Sequence, residues 1–132
     1  MDRNFKFYYY VLLTCLSSYL YSDGITNYSD IKIKADVVTF DELANELLLK
    51  ESLIISFGSF NIYGDTALLS YKNKKLIVDG SPASINSEEE GINGSAKRFI
   101  IYPNLSLEML GDASLVENNN SIYAEQITYQ IK

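Results

Sequence analysis

Apolar residues recur at every second position in short runs along this chain: Leu47/Leu49, Leu53/Ile55/Phe57, Leu76/Val78 and Leu105/Leu107/Met109. A two-residue period is that of a β-strand with one buried face. Asn73, Gly80, Asn86, Gly91, Asn93, Gly111 and Asn118 to Asn120 punctuate the runs with residues that favour turns. Polar stretches precede three of the runs: Asp41-Glu42, Lys72-Asn-Lys-Lys75 and Pro103-Asn104. One segment reads both ways. Asp41 to Lys50 carries Leu43/Leu47 and Ala44/Leu48 at the spacing of an amphipathic helix.

Self-similarity decides between the two. The tetrads Ile33-Lys-Ala-Asp36, Ile62-Tyr-Gly-Asp65, Ile92-Asn-Gly-Ser95 and Ile122-Tyr-Ala-Glu125 begin at intervals of 29, 30 and 30 residues. Each is followed by an aromatic residue, Phe40, Tyr71, Tyr102 and Tyr129 in turn. The repeated unit is strand, turn, strand. Aligned on it, the first half of Asp41–Lys50 falls where the other copies have turns, so turn followed by strand is expected there. Asp36 and Asp65 hold equivalent repeated places, which suits turns or strand ends. Units of this kind cannot bury an inner face singly, and neighbours must complete one another, as in a solenoid or an open rolled sheet. Such a sheet of about three and a half repeats would stack to roughly 35 Å at ~4.8 Å per strand, with free edges near Ile31–Val38 and Ile122–Ile131.

The first 22 residues follow a different rule. Arg3 and Lys6 outnumber Asp2, the run from Phe7 to Tyr21 is largely apolar, and Ser22-Asp23-Gly24 opens polar sequence. That is the order of a secretory signal peptide, expected to be cut after Ser22, with a single domain over 23–132. A retained membrane anchor is the alternative, although spans normally need about 20 apolar residues. A lipid-modified Cys15 fits less well, because Thr14 precedes it and the apolar run continues beyond it. Removal of the leader takes the one cysteine with it, leaving an exported domain held by burial and backbone pairing alone.

Composition narrows the function further. Eleven Lys+Arg against 17 Asp+Glu give a net charge of −6, which disfavours nucleic acid. The absence of histidine removes Ser-His-Asp and Cys-His catalysis and histidine zinc sites. Glu88-Glu-Glu90 and Lys72, Lys74 and Lys75 read as solvated loops before they read as ion or phosphate sites. Asp36 and Asp65 carry no glycosidase signature. No catalytic residue, metal ligand or cofactor is expected.

The ordered pieces resemble a known family. Ala35-Asp36, Phe40-Asp41, Leu47-x-Leu49, Ile54-Ile55, Gly64-Asp65, Tyr71, Val78-x-Gly80-Ser-Pro-Ala83, Gly94-x-Ala96, Tyr102, Leu110-Gly-Asp-Ala113 and Ile127-x-Tyr129 are similar to the OstA-like periplasmic proteins of lipopolysaccharide export. The resemblance covers Ile33 to Tyr129. It implies an all-β, open, twisted β-jelly-roll in the periplasm of a Gram-negative cell, not an enzyme. It further implies a carrier that shields lipopolysaccharide acyl chains between the inner and outer membranes. Its partners would be LptC-like inner-membrane and LptD-like outer-membrane components, together with further copies stacked head to tail. The residues expected to line the lipid groove are Leu47, Leu49, Ile55, Phe57, Ile62, Leu69, Leu76, Val78, Phe99, Ile101, Leu107, Met109 and Ile127. Two readings stand beside this one: an adaptor that joins such domains edge to edge without lipid, and a membrane-anchored LptC-like subunit. Two features depart from the family pattern. Glu51 stands where a glycine usually follows the Leu-x-Leu strand, and the sequence given stops soon after the Tyr129 strand.

Overall fold

Alternation of apolar and polar residues builds one antiparallel sheet. The computed structural model describes residues 2–5 and 31–131, and apart from the backbone of Asp2–Phe5 the expected leader lies outside the described residues. Nine strands are present among them: β1 Asp2–Phe5, β2 Ile31–Lys34, β3 Val37–Asp41, β4 Glu46–Phe57, β5 Phe60–Ser70, β6 Lys75–Ser87, β7 Ile92–Ile101, β8 Ser106–Glu117 and β9 Asn120–Gln130. No helix occurs among the described residues. The all-β expectation holds. The sheet order is β1-β3-β4-β5-β6-β7-β8-β9, with β2 also on β4. β2 and β3 are two halves of one strand, joined where the Asp36 N–H donates to the Glu51 carbonyl at 2.8 Å. β2–β3, β5, β7 and β9 run one way, and β4, β6, β8 and the short β1 run back.

The segment with two readings resolves as the repeat requires. Asp41 Oδ1 accepts from the Leu43 and Ala44 N–H groups at 3.0 and 3.2 Å. Bonds of that kind also open helices. Here Asn45 enters the left-handed region (φ 57°), which closes the turn after four residues and starts β4 at Glu46. Leu43 is left 93% exposed, so the helical spacing buries nothing.

Every long strand is broken at mid-length along one line that crosses the sheet. Two residues of β4, Glu51 and Ser52, lie opposite Asp65 of β5. Three of β6, Gly80 to Pro82, lie opposite Lys97 of β7. Two of β8, Gly111 and Asp112, lie opposite Glu125 of β9. The extra residues fall on β4, β6 and β8, and bulges placed in phase bend a sheet and increase its twist. Four tetrads meet this fold line from the other strands, which explains their small residues. A Cβ on Gly64 would stand 2.5 Å from Val78 Cγ1 and 2.9 Å from the Asp79 carbonyl oxygen. The halves of the sheet on either side fold toward each other over one buried apolar cluster.

Candidate lipid-binding groove

The inner face is laid out in rungs set by strand register. One rung runs Phe40–Leu47–Leu69–Leu76–Ile101–Leu107–Tyr129. The next runs Val38–Leu49–Ala67–Val78–Phe99–Met109–Ile127. Beyond the fold line a third runs Ile33–Ile55–Ile62–Ile85–Gly94–Leu115–Ile122. All thirteen residues expected from sequence lie on this face and are buried: five on the first rung, five on the second, Ile55 and Ile62 on the third, and Phe57 beside it against Phe60. Ile31, Ile33, Val38, Leu53, Ile85, Ile92 and Leu115 belong to the same cluster and were not among the groove residues expected. For Ile33 and Ile92 a signal was available. The leading isoleucines of the repeat share one strand position, so if one points inward all do.

Burial is uneven along the rungs. In the middle of the sheet Ile55, Ile62, Val78, Phe99, Ile101 and Met109 are fully covered. At β9 the cover ends: Ile122, on the same rung as buried Ile33, is 52% exposed. Asn120 to Gln126 are exposed on both faces, so the inner face opens to solvent at this edge. Two buried serines close the turn ends. Ser70 Oγ accepts from the Asn73 N–H at 3.1 Å, and Ser87 Oγ accepts from the Glu90 N–H at 3.1 Å and pairs with Ser59 Oγ at 2.7 Å. Among the described residues no buried side-chain polar atom lacks a partner, so the interior offers apolar contact and no spare hydrogen bond.

Two of the repeat aromatics, Phe40 and Tyr129, end the first rung. Phe40 and Tyr71 pack with ring centroids 6.0 Å apart, and burial pushes the Tyr71 phenol up to about 12. Tyr102 donates to Glu108 Oε1 at 2.5 Å, which holds its proton more tightly than usual. Outside, Arg98 grips both oxygens of Asp79 at 2.6 and 3.2 Å, and the Asp79 hydrogen bond and charge keep the guanidinium protonated to higher pH. Lys72 and Lys74 lie on the β5–β6 turn, and Glu88 to Glu90 on the β6–β7 turn, all exposed. The two surface hollows described are of another character. One, of about 460 Å³, includes Asn86, Asn93, Asn118 and Asn119 in its lining, and the other, of about 520 Å³, lies at the fold line around Gly80 and Gly111.

The interior is apolar on one face, and none of the buried residues described is charged. The structure is similar to the crystal structure of LptH, the LptA-homologous periplasmic component of the lipopolysaccharide transport device of Pseudomonas aeruginosa. The TM-score is 0.66 at 18% identity, over 76% of this chain and 75% of that one. No match was found among curated proteins. The family model for LptA and the LptD N-terminal domain, lipopolysaccharide transport proteins, matches residues 32–132. The chain belongs to that family, whose members transport lipopolysaccharide and are not enzymes.

Proposed function

We propose that this domain is a periplasmic carrier of lipopolysaccharide in transit to the outer membrane, and that its inward face takes the acyl chains. One observation carries the reading: apolar rungs continue across the sheet, and the third of them ends uncovered at Ile122 on β9. An acyl chain laid along them gains about 0.8 kcal/mol per buried methylene. Entry begins at the open β9 side, and the fully covered middle admits lipid only as the two half-sheets part. Family membership and the likeness to a periplasmic component support the location. The same edges support assembly. Backbone along β2 and along β9, each with one strand neighbour among the described residues, suits strand addition by further copies, or by LptC-like and LptD-like partners.

The close packing favours a second reading. Side chains as covered as Ile55, Ile62 and Phe99 already fill the interior, which suits an adaptor that joins neighbouring domains without lipid. A photo-crosslinker at Ile55 or Leu107 separates the two. The carrier captures lipopolysaccharide at both positions and none at Lys74 on the turn. A folded protein that captures none at either inner position is an adaptor, and the carrier reading fails. Leu107→Asp places a charge opposite Tyr129 on the inner face, at several kcal/mol if unpaired, and should abolish capture, whereas Lys74→Asp should not.

A further inference from the structure

The outer side of β3 is occupied. Residues 2–5 pair with it in an antiparallel ladder, Asp2 opposite Asp41, Arg3 opposite Phe40, Asn4 opposite Thr39 and Phe5 opposite Val38. β2, the other half of the same strand, pairs with β4 alone among the described strands. Strand polarity gives this arrangement its consequence. β3 and β9 run the same way, so a second copy arriving head to tail presents β9 to β3 as a parallel partner. β1 runs the opposite way and forms the antiparallel ladder, which is slightly more stable per residue. It is also tethered to the same chain, at an effective concentration on the order of millimolar, before any second molecule is met.

The tether adds a condition. The apolar run Phe7 to Tyr21 lies between β1 and β2 in sequence. With that run across a membrane, residues 2–5 and β3 would stand on opposite sides and could not pair. Cleavage after Ser22 removes β1 altogether.

We propose that the β3 edge is an acceptor for an antiparallel extended segment, that residues 2–5 of the uncut chain occupy it, and that they thereby hold off a second copy there until the leader is cut or drawn into a bilayer. The competition with a second copy rests on the stacking reading given above, whereas the acceptor edge rests on the register alone.

The test uses the full chain and its Arg3→Pro/Asn4→Pro variant. Successive amides of a strand point to opposite sides, so the double substitution deletes whichever N–H faces β3. Hydrogen exchange over residues 37–41 should become at least about tenfold faster in the variant, with β5 to β7 unchanged as the measure of an intact core. In sedimentation across a concentration series, the variant should grow where the parent does not. Equal exchange over 37–41 in the two chains overturns the pairing. Faster exchange with equal growth of both overturns the competition. Faster exchange with growth in neither supports the acceptor edge and overturns both the competition and the stacking reading.

Discussion

Glu51 is the point where this chain departs from its own repeat, and replacing it with glycine should stabilise the protein. Glu51 and Ser52 both hold positive φ, 66° and 54°, at the bulge of β4. The equivalent pair in β8 is Gly111 and Asp112, at 87° and 47°. Left-handed backbone costs a non-glycine residue about 1–2 kcal/mol, so β4 carries at Glu51 a cost that β8 avoids. Nothing offsets it from the side chain, which is exposed and makes no described contact. The one bond that matters, from the Asp36 N–H to the Glu51 carbonyl, survives the substitution. Glycine returns about 0.5–1 kcal/mol through its freer unfolded chain, leaving a net gain on the order of 0.5–1 kcal/mol. For a domain of this size that is a rise in Tm of about 2–6 °C, with the urea midpoint moving the same way and m unchanged. Glu51→Ala is the control, since it removes the carboxylate and keeps the constraint, and it should change little. Gly111→Ala should lose stability, because it imposes on β8 the strain that β4 already bears. An unchanged or lowered midpoint in Glu51→Gly, or an equal gain in Glu51→Ala, would refute the reasoning.

Gly64→Ala forces a methyl against Val78 and the Asp79 carbonyl at the fold line, and should cost about 1–3 kcal/mol in urea unfolding because backbone on both sides must shift. Alkaline stability should fall between pH 10 and 12: the raised Tyr71 pKa favours the protonated phenol in the folded state, so its contribution is complete below pH 10 and lost as pH rises through 12. Tyr71→Phe should flatten the part of that decline that belongs to Tyr71, read as unfolding free energy against pH.

Much of the fold was legible because the repeat and the two-residue period agreed. Repeat phase outweighed local helix spacing at Asp41–Lys50, and Asn45 supplies the reason, as a left-handed residue that stops the turn from propagating. The inward face was legible wherever strands alternate cleanly. It was missed at Ile33 and Ile92, where the tetrads served as phase markers and their shared direction went unused, and at Ile85 and Leu115, which stand on the third rung. What alternation cannot tell is how far an inward residue is covered. Ile33 and Ile122 open the same tetrad at opposite ends of one rung, each with one neighbouring strand among the described residues, yet the first is 2% exposed and the second 52%. The left-handed backbone at Glu51 was hidden for a related reason, since glycine announces such a turn and glutamate does not. The pairing of Asp2–Phe5 with β3 lay concealed inside a segment whose composition reads as a leader.

Every long strand after β3 lies beside its predecessor in sequence, so the sheet is a meander from β3 to β9. Its non-local pairings are therefore few for an all-β protein, and folding should be fast for the class because each hairpin closes only a short loop. The elementary step is the docking of one strand on the strand before it, and the reverse step is the peeling of an end. Opening free energy should thus rise from β9 inward and be greatest around β5 to β7, where a strand is released only after its neighbours. A protein arranged in this way frays long before it unfolds, and the part that frays first is the half-strand that carries Ile122 and Tyr123.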